Sequence, residues 1–161
     1  MGRVTRKGVP LSELRARAEE LERFKVFVGW LESARYDDGT PIAGVAAVHE
    51  YGSPIRRIPP RPYLRTAKEE NRESWKKLVD FVSKQILSGS MKVEDALEML
   101  GLKISGDIKK AIKNISSPAL KQKTIANRLR KKADGKTVGN LDKPLIETAI
   151  MINSVTYEVK S

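Results

Sequence analysis

The sequence predicts an α+β fold: a small antiparallel sheet packed with several amphipathic helices. Strand-like alternation occurs near both ends of the chain, at residues 24–31 and 155–160. Helical periodicity fills the middle, most cleanly from Val93 to Ile115, where apolar residues recur at spacings of three and four. Strands at the ends with helices between them are the α+β pattern. A length of 161 residues, 40% of them hydrophobic, suits one domain spanning 1–161, with a basic helical subregion at 92–132.

Each element has its own signature. Leu11, Leu14, Ala18 and Leu21 form one narrow apolar stripe, predicting a helix over 11–23. In the following strand Val26, Val28 and Trp30 share a face. Asp37-Asp38-Gly39-Thr40-Pro41 is turn chemistry, and Pro41 is placed to open a short apolar helix through Ile42, Val45, Ala46 and His49. The longest helix is expected at about 62–87, with Leu64, Ala67, Asn71, Trp75, Leu78, Val82 and Ile86 inward and Ser88-Gly89-Ser90 as its stop. The Val93–Ile115 helix contains Gly101 and Gly106, each costing about 1 kcal/mol relative to Ala, so a bend is expected there. Ser117-Pro118 reads as an N-cap and first helical residue, starting a basic helix through Arg130. A loop over Ala133–Asn140 and a short helix over Leu141–Ile152 then lead to the closing strand, where Val155, Tyr157 and Val159 alternate.

Composition narrows the function classes. No run approaches the roughly 18–20 apolar residues that span a bilayer, so no membrane role is expected. The basic start of the chain lacks the apolar segment of a secretory signal, and Met1-Gly2 is not followed by the Ser or Thr of a myristoylation site. The absence of cysteine excludes disulfides and thiolate metal sites. The net charge of +11 is concentrated: residues 103–143 carry 12 basic and 3 acidic groups. Such a lobe attracts polyanions, whether nucleic acid or an acidic protein rim. Its patch comprises Lys121, Lys123, Arg128, Arg130, Lys131, Lys132 and Lys136. No aromatic interleaves these cations, so base stacking is not signalled and phosphate attraction remains. The connection Asn114–Pro118 lacks the glycine common in helix-turn-helix units.

Catalytic constellations are missing. His49-Glu50 begins like H-E-x-x-H, but Ser53 stands where the second histidine is needed, and His49 is the sole histidine. Gly135-Lys136-Thr137 resembles the end of a phosphate loop, yet Arg130 replaces the leading glycine. Asp37-Asp38 and Glu69-Glu70 are paired carboxylates without the companions of an acid/base site. Neither enzyme activity, metal nor cofactor is expected.

The segment from His49 to Arg65 is the most distinctive. Gly52 permits a sharp exit from the preceding helix. Pro59, Pro60 and Pro62 fix their own φ and hold the residues before them extended. The result is a stiff lead-in to the long helix, which loses little entropy on docking. Its arginines, Arg56, Arg57, Arg61 and Arg65, suit forked bonds to partner carboxylates, and Tyr51, Tyr63 and Leu64 suit apolar anchoring. The candidate subunit or partner interface is therefore His49, Glu50, Tyr51, Gly52, Arg56, Arg57, Pro59, Pro60, Arg61, Pro62, Tyr63, Leu64 and Arg65.

The run AAVHEYGS followed by IPPRPYLR resembles the tail-completion and neck proteins of long-tailed bacteriophages and prophages. In that family an alanine-rich helix ends in a His/Asn-Glu-Phe/Tyr-Gly unit, and Pro-Pro-Arg-Pro-Phe/Tyr-Leu-Arg opens a long helix. KVFVGW is similar to the family's strand. A looser likeness lies in Leu145-Ile146-Glu147-Thr148-Ala149 and Asn153-Ser154-Val155, where Glu147 and Ala149 depart from the family's Asp and Gly. The resemblance covers residues 24–87 and 141–160. It implies a structural virion protein of the head–tail junction, assembled in the host cytoplasm into a sixfold ring. Its partners would be other copies of itself, the head connector and the tail tube or its terminator, and its basic region would face an acidic rim or DNA in the channel. The alternative is a nucleic-acid-binding protein acting through 103–143.

Overall fold

The computed structural model describes residues 9–136, 138, 141, 142, 144 and 149–161. In chain order the elements are α1 (Leu11–Arg23), β1 (Lys25–Gly29), α2 (Ile42–Tyr51), α3 (Tyr63–Ser88), α4 (Val93–Asn114), α5 (Gln122–Ala133), α6 (Ile150–Asn153) and β2 (Thr156–Lys160). The architecture is α+β, as the sequence predicts. β1 and β2, far apart in the chain, pair antiparallel with Val26 opposite Val159 and Val28 opposite Tyr157. These pairs turn inward, while Phe27 lies on the outer face opposite Glu158, with Lys160 Nζ 5.8 Å from its ring centre.

α3 and α4 form an antiparallel pair, and the sheet lies across α4. Seven residues of α3 predicted to face inward are all buried or half-buried. The polar member, Asn71, donates its side-chain amide to the Ala67 carbonyl and so costs the core little. Gly89, in a left-handed conformation, ends α3, and its N–H and that of Ser90 return to the last-turn carbonyls. Arg17 of α1 donates to the Leu87 carbonyl at 2.7 Å, docking α1 on that end. Trp75 Nε1 donates to Asp107 at 2.7 Å, fastening α3 to α4 midway.

Two apolar clusters form along this pair. One joins Val82 and Ile86 to Val93, Ala96, Leu97 and Leu100, with Leu21 and Phe24 packed against it. The other joins Ile42, Ala46, Tyr63 and Ala67 to Ile108, Ala111, Ile112 and the C-terminal Met151, Ile152 and Val155. The second cluster carries the site described below.

Several boundaries differ from those read from sequence. β1 is shorter than 24–31, because Phe24 and Trp30 leave the ladder to enter the clusters at either end. α4 runs unbroken through Gly101 and Gly106; Gly101 is required by the Tyr157 ring lying directly on it. Ser117-Pro118 does not start a helix. Lys121 is the N-cap of α5, and the stretch before it is held open by Arg61, which bonds the Pro118 and Ala119 carbonyls. This extended connection between α4 and α5 also excludes the tight turn of a helix-turn-helix. Only Ile150–Asn153 of the expected 141–152 helix is helical among the described residues. Residues 1–8, Thr137 and Leu145–Thr148, on which some of the sequence expectations fall, lie outside the described residues. No helix among those described is long and apolar enough to cross a membrane.

The two α4 glycines separate packing from propensity. A Cβ on Gly101 would sit 2.5 Å from the Tyr157 ring, so Gly101→Ala should destabilise by about 1–3 kcal/mol through overpacking. A Cβ on Gly106 meets nothing within 4 Å. Gly106→Ala should stabilise by about 0.5–1 kcal/mol, and urea unfolding of both variants checks the opposite signs.

Candidate functional site

α2 ends at Tyr51 and α3 begins at Tyr63, and the chain between them is fastened at every step. Gly52 has φ 77°, and a Cβ there would meet the Ile58 carbonyl and Pro60 nitrogen at 2.9 Å. Only glycine fits that crossing. Ser53 and Ile58 exchange two backbone hydrogen bonds of 2.9 Å, closing a small hairpin over Pro54-Ile55-Arg56-Arg57. Arg57, with φ 51°, completes the reversal and donates its N–H to the Pro54 carbonyl. At the base, the Arg61 N–H donates to the His49 carbonyl at 2.7 Å.

Glu50 locks this arrangement. Its side chain is 1% exposed, and its carboxylate accepts from the N–H of Leu64 at 2.8 Å and of Arg65 at 3.3 Å. The first turn of a helix has unsatisfied N–H groups and a partial positive charge, both of which a carboxylate answers. Arg65 Nε also donates to Glu50 Oε1 at 3.0 Å, and its Nη2 to the Glu50 carbonyl at 3.1 Å. Tyr51, exposed, lies 5.5 Å from the Arg65 guanidinium. Tyr63, fully buried, donates its hydroxyl to the Ala46 carbonyl at 2.7 Å and meets Trp30 edge to face at 5.7 Å. Burial raises the Tyr63 pKa strongly, with the Glu50 charge adding to it, so the hydroxyl remains a donor.

The hairpin and α5 converge on a groove of about 830 Å³. Its walls carry Arg56, Arg57, Lys121 and Lys131, with Arg61, Arg128 and His49 deeper, and Asp38 as the carboxylate on its rim. Lys121 Nζ donates to the Arg57 carbonyl at 3.1 Å, tying α5 to the hairpin. Arg61 and Arg128 are 5% and 4% exposed, and burial followed by the Arg128 charge lowers the Arg61 pKa. His49 Nδ1 is buried with no hydrogen-bond partner. Burial lowers the His49 pKa, with Arg61 and Arg128 lowering it further.

Sequence reasoning named the two basic segments apart; the structure brings them together. It also divides them. Tyr63, Glu50, Arg61 and Arg128 are buried, so the forked arginine contact and tyrosine anchor expected of Arg61 and Tyr63 are spent inside the chain's own fold. Arg65 is half-exposed but already engaged by Glu50. Arg56, Arg57, Tyr51 and Pro60 remain exposed, as do Lys123, Arg130, Lys132 and Lys136. Ile55, 97% exposed at the hairpin tip, was not singled out from sequence, and an isolated isoleucine gave no signal for it. Groups of three metal-ligating side chains are not found among the described residues.

No protein-family model, curated protein or solved structure matches the chain.

The clamp and the histidine each make a prediction. Glu50→Ala leaves the Leu64 N–H buried and unanswered and should cost about 2–3 kcal/mol. Arg65→Ala leaves that buried carboxylate its backbone partners but removes its guanidinium and should cost less, about 1–2 kcal/mol, and both are read from denaturant midpoints. Because the folded pKa of His49 is depressed, the unfolded chain binds a proton near pH 6.5 that the folded chain refuses. Stability should therefore fall as pH drops below about 6.5 until the folded pKa is reached. His49→Gln should flatten that slope between pH 7.5 and 5.5 in urea titrations.

Proposed function

We propose that this chain is a non-catalytic structural protein of a phage head–tail junction, assembling as a ring between the head connector and the tail. The observation that carries this reading is the Pro54–Arg57 hairpin: an apolar tip, Ile55, followed by two exposed arginines on a base locked by Gly52 and Glu50. A large exposed aliphatic on a preorganised loop suits docking, since ordering it costs little at the moment of contact. The resemblance of HEYGS and IPPRPYLR to the neck family supports the same reading, because the clamp is made by those residues: Glu50 from the first motif, Leu64 and Arg65 from the second. A ring requires two different patches that meet between neighbours.

A second reading, binding of DNA through 103–143, draws on the exposed cations of α5, Lys123, Arg130 and Lys132. It predicts duplex binding that weakens steeply with salt.

Size-exclusion chromatography with light scattering, of the chain alone and with connector and tail-tube proteins, tests the proposal. The expected result is a ring or a co-complex, and a monomer ignoring both partners contradicts it. Ile55→Asp should change stability by less than about 0.5 kcal/mol while abolishing the assembled species in the same measurement.

A further inference from the structure

We propose that the basic groove receives the N-terminal face of α4 from a second copy of this chain, giving a head-to-tail contact between subunits. The inference rests on the ring-forming reading above and names the two patches that reading requires.

The groove fixes the chemistry of its occupant. Its rim is cationic through Arg56, Arg57 and Lys121, and its deeper lining sets apolar Val45, Ile58 and Met151 beside the buried Arg61, Arg128 and His49. Its volume of about 830 Å³ lies in the range of sites that enclose a ligand of several groups. A phosphate backbone would answer the cations and leave Val45, Ile58 and Met151 uncovered. A protein surface carrying carboxylates beside apolar side chains answers both.

This chain has such a surface. On α4, Glu94, Glu98 and Leu102 follow at intervals of four, with Asp95 and Met99 beside them. All five are exposed; Leu102 is 65% exposed, and no ion pair among the described residues engages these carboxylates. The face therefore presents three carboxylates outside any of these ion pairs, around two apolar side chains, opposite to the groove in sign.

The two surfaces lie toward different ends of α4. Val93–Leu100 packs in one apolar cluster, whereas Ile108–Ile112 packs in the cluster beneath the groove. At 1.5 Å per residue, about 25 Å of α4 separates Asp95 from Ile112. Patches set apart in this way can meet reciprocally across a twofold axis or successively from copy to copy. The ring-forming reading takes the successive, heterologous contact, which propagates until a ring closes.

Two charge reversals test this by light scattering at several concentrations. Arg56→Glu with Arg57→Glu and Lys121→Glu reverses the groove rim, and Glu94→Lys with Glu98→Lys reverses the face; all five positions are exposed, and circular dichroism verifies folding. Each variant alone should run as a monomer. An equimolar mixture should regain the wild-type assembly mass, because the acidic groove of one variant now accepts the basic face of the other, and the two unaltered surfaces also match. For the wild type, assembly should weaken as sodium chloride rises, a readout that needs no variant. The proposal is overturned by a variant that keeps the wild-type mass, by a mixture that stays monomeric, or by assembly that salt strengthens. A groove variant that still assembles but loses duplex DNA binding would assign the groove to nucleic acid instead. A wild-type chain that is monomeric at every concentration overturns the self-contact, while co-assembly with connector or tail-tube proteins would still uphold the function proposed above.

Discussion

A single buried carboxylate holds this molecule's distinctive region in place. Glu50 ends one helix and closes the start of another, accepting from the N–H groups of Leu64 and Arg65 while Arg65 folds back over it. A buried charge is tolerable only when its acceptor capacity is used, and here a helix N-terminus and a guanidinium share that task. The geometry follows from this constraint. With the end of α2 tied to the first turn of α3, the intervening residues must leave and return within a short span. They do so through Gly52, where no side chain fits, and through prolines that keep the return extended.

The consequence is a division of labour among residues that look alike in sequence. Arg61 is buried and holds the α4–α5 connection open, whereas Arg56 and Arg57 ride on the hairpin and face solvent. Arg61 therefore builds the groove, and the hairpin arginines give it its charge. Burial lowers the pKa of His49, and the charges of Arg61 and Arg128 lower it further. Hydrogen-bonded backbone, clustered cations and an exposed apolar tip are features that suit recognition, which is the basis for the proposal that the region is an assembly surface.

Periodicity made the helices legible because each carries a stripe that must meet a core: the inward positions of α3 and α4 follow directly from spacing. The pairing of the chain ends was legible from alternation in Val26–Trp30 and Val155–Val159. Ser117-Pro118 misled because its local chemistry suits a helix start, while the deciding contact comes from Arg61, distant in sequence. Gly101 looked like a weakness in α4, and its reason lies in a ring more than fifty positions later. At the site, the motif residues were recognisable, but which arginine is structural and which is free depends on burial that no local pattern encodes. The convergence of α5 on the hairpin was likewise invisible, since it is set by long-range hydrogen bonds such as Lys121 to Arg57.

Amide hydrogen exchange at Leu64 and Arg65 tests the clamp most directly. First-turn amides ordinarily exchange quickly, having no partner within the helix. Those of Glu94 and Asp95 in α4, whose N-cap Lys92 offers no side-chain bond, supply the comparison within the same molecule. If Glu50 holds the two helices as described, the Leu64 and Arg65 amides exchange only through large-scale unfolding, orders of magnitude more slowly than those of Glu94 and Asp95. Exchange of all four at similar rates would mean that the carboxylate does not fasten α3 to α2, and the account of the hairpin and groove built upon it would fail.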